Sequence, residues 1–107
     1  MFSLKNPKTQ TLETLTKEGN DPYTLYFCGP TVYSRLHIGN LRALFVADLL
    51  VRALRRHRPV KFVRNITDID DKIINEASRQ NISIEDLVEK TISLYHQDTQ
   101  TLGLIQP

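Results

Sequence analysis

The residues best suited to chemistry form the stretch His37-Ile38-Gly39-Asn40, between a predicted strand and a predicted helix. In an open parallel sheet such a turn lies at the carboxyl end of the strand, where ligands bind. Gly39 permits close approach of the backbone to a ligand, and Asn40 is a suitable N-cap for a helix whose free N–H groups would favour a phosphate. His37 could donate a hydrogen bond or a charge to that phosphate. Taken alone, the four residues favour the simpler interpretation, a surface histidine ahead of an ordinary capped helix.

The single cysteine of the chain, Cys28, ends the apolar run 24–28. A lone cysteine in such a place is usually a small apolar side chain of the core. Its position at the same sheet edge as His37 makes metal binding the alternative, but a tetrahedral zinc site needs about three further ligands. His57 and His96 show no convergence on it, so this chain alone does not complete a zinc site. A single cysteine forms no internal disulfide, which fits a reducing cytoplasm.

Three acids follow the second predicted strand, in RNITDIDDK at 64–72. Asp68 or Asp70 could line a nucleotide pocket or bind magnesium, because this loop also falls at the carboxyl edge of the sheet. Acids at a helix start also complement the dipole, and Thr67 or Asp68 is suited to be the N-cap. We favour the structural role for any single acid, and the sequence assigns no separate role to Asp68, Asp70 and Asp71.

Positive charge is concentrated in the middle of the chain, although the net charge is only +2. The cations are Arg52, Arg55, Arg56, Arg58, Lys61 and Arg64. They could face a phosphate, but a solvated helix end is the commoner explanation.

The elements that position these residues follow from the hydrophobic pattern. Residues 24–28 and 60–65 are predicted strands, and the chain from Asn40 to about His57 is a predicted helix, so apolar that it should be largely buried. Asp48 and Arg52 can pair across one turn of it. Together they form a βαβ unit with parallel strands and a right-handed crossover.

The flanking segments are simpler. Residues 1–9 are expected to be loosely held, 11–15 to form an edge strand and 17–22 a loop. A helix should open at 68–71 and run to about Gln80, where Asn81 breaks it, and Ser83 with Asp86 predicts a capping box for a last helix ending at Gly103. With 107 residues, no secretory signal and no transmembrane run, we expect one modest domain with no membrane segment.

Two longer motifs, YFCGPTVYSRLHIGN and FVRNITDIDDKI, resemble the cysteinyl-tRNA synthetases, which are class I aminoacyl-tRNA synthetases. The resemblance covers nearly the whole chain. It implies an α/β fold, the opening half of a Rossmann-like (HUP-type) parallel sheet with flanking helices. It also implies ATP-dependent activation of L-cysteine to cysteinyl-adenylate, transfer to tRNA(Cys), and a cytoplasmic location.

The same resemblance assigns the site. Cys28 would bind a zinc ion that recognises the substrate thiol, since zinc binds a thiolate better than a hydroxyl. His37 and Asn40 would be catalytic, stabilising charge on ATP, which enters with magnesium. Gly29, Thr31, His37, Gly39 and Asn40 would contact the nucleotide.

Some family features have no counterpart here. The other zinc ligands and the Lys-Met-Ser-Lys-Ser loop are not in this sequence, and Arg58-Pro59 replaces a helix-ending glycine, so that turn should differ. We therefore expect residues 1–107 to be the N-terminal portion of the catalytic domain, ending near the connective insertion. Alone, it should expose apolar surface, bind zinc weakly and lack cysteine-dependent ATP–pyrophosphate exchange.

Other functions fit less well. A related cysteine ligase that acylates an amino sugar shares the zinc cysteine and the His-x-Gly signature, but the Pro30–Tyr33 and Thr67–Asp71 stretches fit the tRNA enzyme better. An adenylyltransferase gives no reason for Cys28. A non-catalytic nucleotide- or RNA-binding module would want exposed aromatics interleaved with its cations, which this chain lacks.

Overall fold

A computed structural model describes residues 2–107 of the chain. Its elements, in chain order, are β1 (Ser3–Lys5), β2 (Leu12–Thr14), β3 (Tyr23–Phe27), α1 (Ile38–Arg55), β4 (Val60–Arg64), α2 (Asp71–Gln80) and α3 (Ile84–Thr101). Of the helices in this range, none combines the length and the apolar character that crossing a bilayer requires.

The N-terminal residues form a hairpin, so the expectation that 1–9 would be loosely held was wrong for the described part of it. Strands β1 and β2 pair antiparallel, with Leu4 opposite Glu13. The turn is closed by Asn6, whose Oδ1 accepts from the N–H of Lys8 and whose carbonyl accepts from the N–H of Gln10. These local hydrogen bonds of Asn6 stabilise a turn that the polar composition alone did not predict.

The predicted βαβ unit is confirmed. Strands β3 and β4 pair in parallel, from Tyr23 opposite Val60 to Phe27 opposite Arg64, and α1 connects them. The turn before β4 has no left-handed residue, and the C-cap Arg56 is in the right-handed helical region. Arg58 instead donates to the carbonyl of Asp21, as expected for a turn that differs from a glycine cap.

Helix α1 is buried on only one face, so the prediction that it would be largely buried was wrong. Leu44, Ala47 and Val51 pack into the core, whereas Val46 is 61% and Leu49 is 69% exposed. Two strands and the flanking chain cover one side of a helix, and the other side keeps its apolar residues in solvent.

Helices α2 and α3 end where the sequence predicts. Asn81 adopts the left-handed conformation after α2 (φ 55°), and Gly103 does so after α3 (φ 67°). Ser83 caps α3 by accepting from the N–H of Asp86. Buried residues of both helices, among them Ile73 and Leu87, share one core cluster, so the pair packs as an amphipathic layer.

Asp48 connects α1 to the C-terminal segment. Its carboxylate accepts from Arg52 Nε and from the N–H of Ile105, each at 2.7 Å. Arg52 also donates to the carbonyl of Gly103 at 2.9 Å. The pairing of Asp48 with Arg52 is confirmed, and the bonds to Ile105 and Gly103 make the pair a tertiary contact as well as a contact within the helix.

The chain beyond β3 is held against the chain beyond β4 by Gly29 and Asn65. The N–H of Gly29 donates to Asn65 Oδ1 at 2.7 Å. A Cβ at position 29 would lie 1.7 Å from the Asn65 carbonyl oxygen, so the backbones approach as only glycine allows. Beyond this Gly29–Asn65 clasp, Thr31 and Thr67 form a further parallel bridge. The segment that follows Cys28 is thereby fixed to the carboxyl edge of the sheet.

Gly29→Ala should lower the free energy of unfolding by about 2 kcal/mol or more, because a methyl group would collide with backbone that cannot move aside. Urea denaturation measures this loss. Gly19→Ala is the matched control: its Cβ would meet open space, so the positive φ alone should cost about 1 kcal/mol. Equal losses in the two variants would contradict the clasp.

Leu49→Ala should reduce binding of the dye ANS and change stability by less than about 0.5 kcal/mol, because Leu49 lies on the exposed face of α1. Leu44→Ala, on the buried face, should cost about 3 kcal/mol and increase dye binding. Dye fluorescence and thermal melting separate the two, and a destabilised Leu49 variant would show that this face is covered.

Acid should weaken the bond between α1 and the C-terminal segment. Burial opposes the charge of Asp48, but the Arg52 hydrogen bond, the Ile105 N–H and the charges of Arg52 and Arg55 outweigh burial and lower its pKa. Its stabilising contribution is therefore complete above the unfolded-state pKa of about 3.9 and is lost as pH falls through the lower folded-state pKa. Asp48→Asn should lose less stability between pH 5 and about 2 than the unsubstituted chain, and identical pH profiles would refute this.

Candidate functional site

The imidazole of His37 caps α1, where the sequence predicted that Asn40 would be the N-cap. His37 has extended backbone (φ −105°, ψ 173°), and its Nδ1 accepts from the N–H of Gly39 at 3.0 Å. Asn40 is already inside the helix, and its Oδ1 accepts from the N–H of His37 at 3.1 Å. The prediction failed because an imidazole nitrogen acts as the capping acceptor while the amide reaches back from the first turn.

These two bonds decide which atoms are left for a ligand. With Nδ1 accepting, the imidazole carries its proton on Nε2 when neutral, so Nε2–H is a donor. With Oδ1 engaged, the amide of Asn40 keeps its Nδ2 group as a donor. The start of α1 therefore has two side-chain donors beside its own N–H groups, a combination that suits an anion.

Gly39 leaves room for the capping imidazole. A Cβ at this position would lie 2.8 Å from His37 Cε1 and 3.0 Å from Nδ1. A larger residue would displace the ring, so the glycine and the histidine act as a pair.

The segment that carries His37 is also tied to α3. Arg35 makes two bonds to Asp98, Nη2 to Oδ1 at 2.7 Å and Nε to Oδ2 at 3.0 Å. The Arg35 hydrogen bond and charge lower the pKa of Asp98. This bidentate pair holds the loop two residues before the cap.

Two adjoining clefts open at the carboxyl edge of β3 and β4. The first, of about 140 Å³, is lined by Cys28, Gly29, Pro30, Asn40, Ala43 and Leu44. The second, of about 230 Å³ and more polar, is lined by Pro30, Thr31, Tyr33, Ser34, Leu36, His37, Asn40 and Lys72. Pro30 and Asn40 line both, so Cys28 and His37 lie at adjoining clefts. All six candidate site residues from the sequence lie at these clefts or, in the case of Gly39, directly against His37.

Cys28 is a free, exposed thiol, which fits a ligand better than a core filler. Among residues 2–107, however, no three His, Cys, Asp or Glu side chains are grouped to hold a metal ion. His57 lies edge-on to Phe2 and His96 edge-on to Tyr95. The described residues thus offer one cysteine sulfur and not a tetrahedral donor set.

Asp70, one of the three acids after β4, has a structural role. Asp70 is the N-cap of α2 and accepts from the N–H of Ile73 at 3.0 Å, whereas the sequence had suggested Thr67 or Asp68. Helix α2 begins at Asp71, so its N-cap position is 70, and Thr67 lies three residues earlier in the bridge to Thr31. Asp68, Asp70 and Asp71 line neither cleft.

Half of the basic residues of the central stretch have partners within the fold. Arg52 bonds Asp48, Arg58 bonds backbone carbonyls, and Arg64 lies over the rings of Phe62 and Tyr95. These three arginines are therefore engaged within the fold.

Sequence reasoning missed Asn65 and Lys72. Asn65 directly follows β4, where a polar side chain can reach the neighbouring strand end. Lys72 is a cation in the first turn of a helix, an unfavourable place that could have marked it.

Comparison with known proteins identifies the family. A family model described as "tRNA synthetases class I (C) catalytic domain" matches residues 14–107. The chain is 47% identical over 105 residues to the cysteine–tRNA ligase of Rhodospirillum rubrum, covering 97% of this chain and 23% of the relative. It is 45% identical over 107 residues to that of Parvibaculum lavamentivorans, covering 99% and 23%. With that of Wolbachia pipientis from Culex pipiens it shares 42% over 108 residues, covering 100% and 23%.

The chain thus spans 23% of the length of these curated relatives. Within that span, the match includes both motifs on which the resemblance depended, the one around Cys28 and His37 and the one around Asp68. The resemblance drawn from the sequence is therefore confirmed, and the chain belongs to the class I tRNA synthetase (C) catalytic-domain family.

Proposed function

We propose that this chain forms the nucleotide-binding N-terminal part of the catalytic domain of a cysteine–tRNA ligase. Such an enzyme activates L-cysteine with ATP, releases pyrophosphate, and transfers the cysteinyl group from the adenylate to tRNA(Cys). The names of the relatives support this proposal. The structural observation that carries it is the shared rim on which Cys28, His37 and Asn40 line adjoining clefts.

The fold supports the same proposal. A parallel pair joined by a crossover helix is the first βαβ unit of a Rossmann-like sheet, and such sheets bind nucleotides at the carboxyl ends of their strands. Both clefts lie at that edge, directly after β3 and at the start of α1. We propose β3, α1 and β4 as the opening half of this sheet.

The chemistry assigned to His37 and Asn40 is electrostatic. When the carboxylate of cysteine attacks the α-phosphorus of ATP, negative charge builds on the phosphate oxygens and on the departing pyrophosphate. Nε2–H of His37 and Nδ2–H of Asn40 would donate to those oxygens, from positions that the capping bonds hold in advance. Magnesium enters as part of the ATP substrate. Gly29 and Thr31 line the clefts, and Gly39 keeps the imidazole in place.

We propose Cys28 as the one zinc ligand that this chain contributes. Its exposure at the first cleft supports this role. A bound zinc ion would separate a thiol substrate from a hydroxyl analogue.

The alternatives have less support. None of the comparisons favours an amino-sugar ligase or a non-catalytic nucleic-acid module. The arginines that would serve such a module are partly engaged within the fold.

Two substitutions separate ligand binding from capping. His37→Asn keeps a good N-cap but removes the Nε2 donor, and Asn40→Asp keeps the acceptor for the His37 N–H but replaces the Nδ2 donor with a carboxylate. Each should leave the melting temperature nearly unchanged and weaken ATP binding about tenfold or more, the effect of losing one hydrogen bond to a charged group. Thermal melting measures the stability of each variant, and amide NMR titration with Mg·ATP measures its affinity for ATP.

His57→Asn is the matched control, because His57 is exposed beyond the end of α1 and contacts Phe2. It should bind ATP as the unsubstituted chain does. If the variants at positions 37 and 40 also bound ATP normally, the proposed function would lose its structural basis.

A further inference from the structure

The more polar of the two clefts is lined by a positive side chain and by no negative one. No carboxylate is among its lining residues, and Lys72 is the only lysine or arginine there. Thr31, Tyr33 and Ser34 add hydroxyl groups, and His37 adds its donor nitrogen. A cleft with this lining suits a polyanion.

Lys72 lies where its own helix disfavours it. It is the second residue of α2, directly after Asp71, and the partial positive charge of a helix N-terminus repels a cation there. The cap carboxylate of Asp70 is used by the N–H of Ile73. None of the ion pairs found in residues 2–107 includes Lys72. Its position is therefore not accounted for by the stability of α2.

Tyr33 holds the ammonium group of Lys72 at the cleft. Lys72 Nζ lies 5.6 Å from the centroid of the Tyr33 ring, within the range of a cation–π contact. Tyr33 is itself packed against the core cluster of Val32 and Ile73, so the platform is fixed. Such a contact orients the ammonium without using its N–H donors, which stay available for oxygen ligands.

We infer that Lys72 is a phosphate-binding residue of the same nucleotide site, acting opposite the His37 and Asn40 donors on the polyphosphate of ATP or on pyrophosphate. This inference rests on the proposed function and adds a residue from α2 to a site otherwise built from the start of α1. It joins the two helix starts through one ligand. The simpler alternative is that Lys72 only neutralises the acids beside it, and that role predicts no effect on binding.

The test is titration of the 107-residue chain with inorganic pyrophosphate, ATP and adenosine, followed through the amide signals of Gly39 and Asn40. Lys72→Gln should raise the dissociation constants for pyrophosphate and ATP about fivefold, the effect of one partly exposed charge pair. Adenosine binding should be unchanged, Lys72→Arg should retain most of the affinity, and added salt should weaken binding less in the glutamine variant. The glutamine variant should melt at the same or a higher temperature, because the helix start loses a repelled cation.

Lys61→Gln is the matched control. Lys61 is exposed near the amino end of β4, at the opposite end of the strand from the clefts, and its loss should not change pyrophosphate binding. If Lys72→Gln binds normally while His37→Asn does not, the inference is wrong and the proposed function stands. If the unsubstituted chain binds neither ATP nor pyrophosphate, the proposed function fails and the inference fails with it.

Discussion

The clasp between Gly29 and Asn65 is the constraint on which the site depends. Parallel pairing of β3 with β4 brings two strand ends to one edge, but pairing alone does not determine where the chain goes next. The 2.7 Å bond from the Gly29 N–H, and a backbone contact that excludes any Cβ, hold the segment after Cys28 alongside the chain that follows β4. That course leaves Cys28 exposed on the rim and brings His37 to the adjoining cleft nine residues later.

The start of α1 combines a structural and a chemical role in the same two side chains. His37 Nδ1 accepts from the N–H of Gly39, and Asn40 Oδ1 accepts from the N–H of His37. These bonds leave one donor on each side chain available to a ligand. A capping box built from serine and glutamate would stabilise a helix as well but would leave fewer donors for an anion. Gly39 completes the arrangement because any side chain there would displace the imidazole. The hydrogen bonds that stabilise the start of α1 therefore also orient the donors that a ligand would use.

Several residues occupy positions that do not favour the stability of this chain. The outer face of α1 keeps Val46 and Leu49 in solvent, Cys28 is an exposed thiol, and Lys72 opposes the dipole of its helix. Each is unfavourable or neutral for this chain by itself. Local rules that a sequence breaks without a stability gain commonly mark functional surfaces. Here the rule-breaking residues Cys28 and Lys72 lie at the two clefts, while the apolar face of α1 lies on a surface that two strands are too few to cover.

The sequence by itself determined the elements from β2 onward, their order and the parallel βαβ unit, because those depend on local patterns such as the apolar run before Cys28, the stop at Pro59 and the Ser83 cap. It did not reveal β1, whose pairing with β2 depends on a turn closed by Asn6. Its two motifs also determined the family. Tertiary structure decided which atoms do what. His37 rather than Asn40 caps α1, Asp70 rather than Thr67 or Asp68 caps α2, and Lys72 lines a cleft with residues of the segment before α1. Each outcome depends on distances between residues that no local pattern specifies. The extent to which α1 is buried could not be predicted either. The hydrophobicity of a helix shows which residues it can bury, but the elements packed around it determine how many of them are covered.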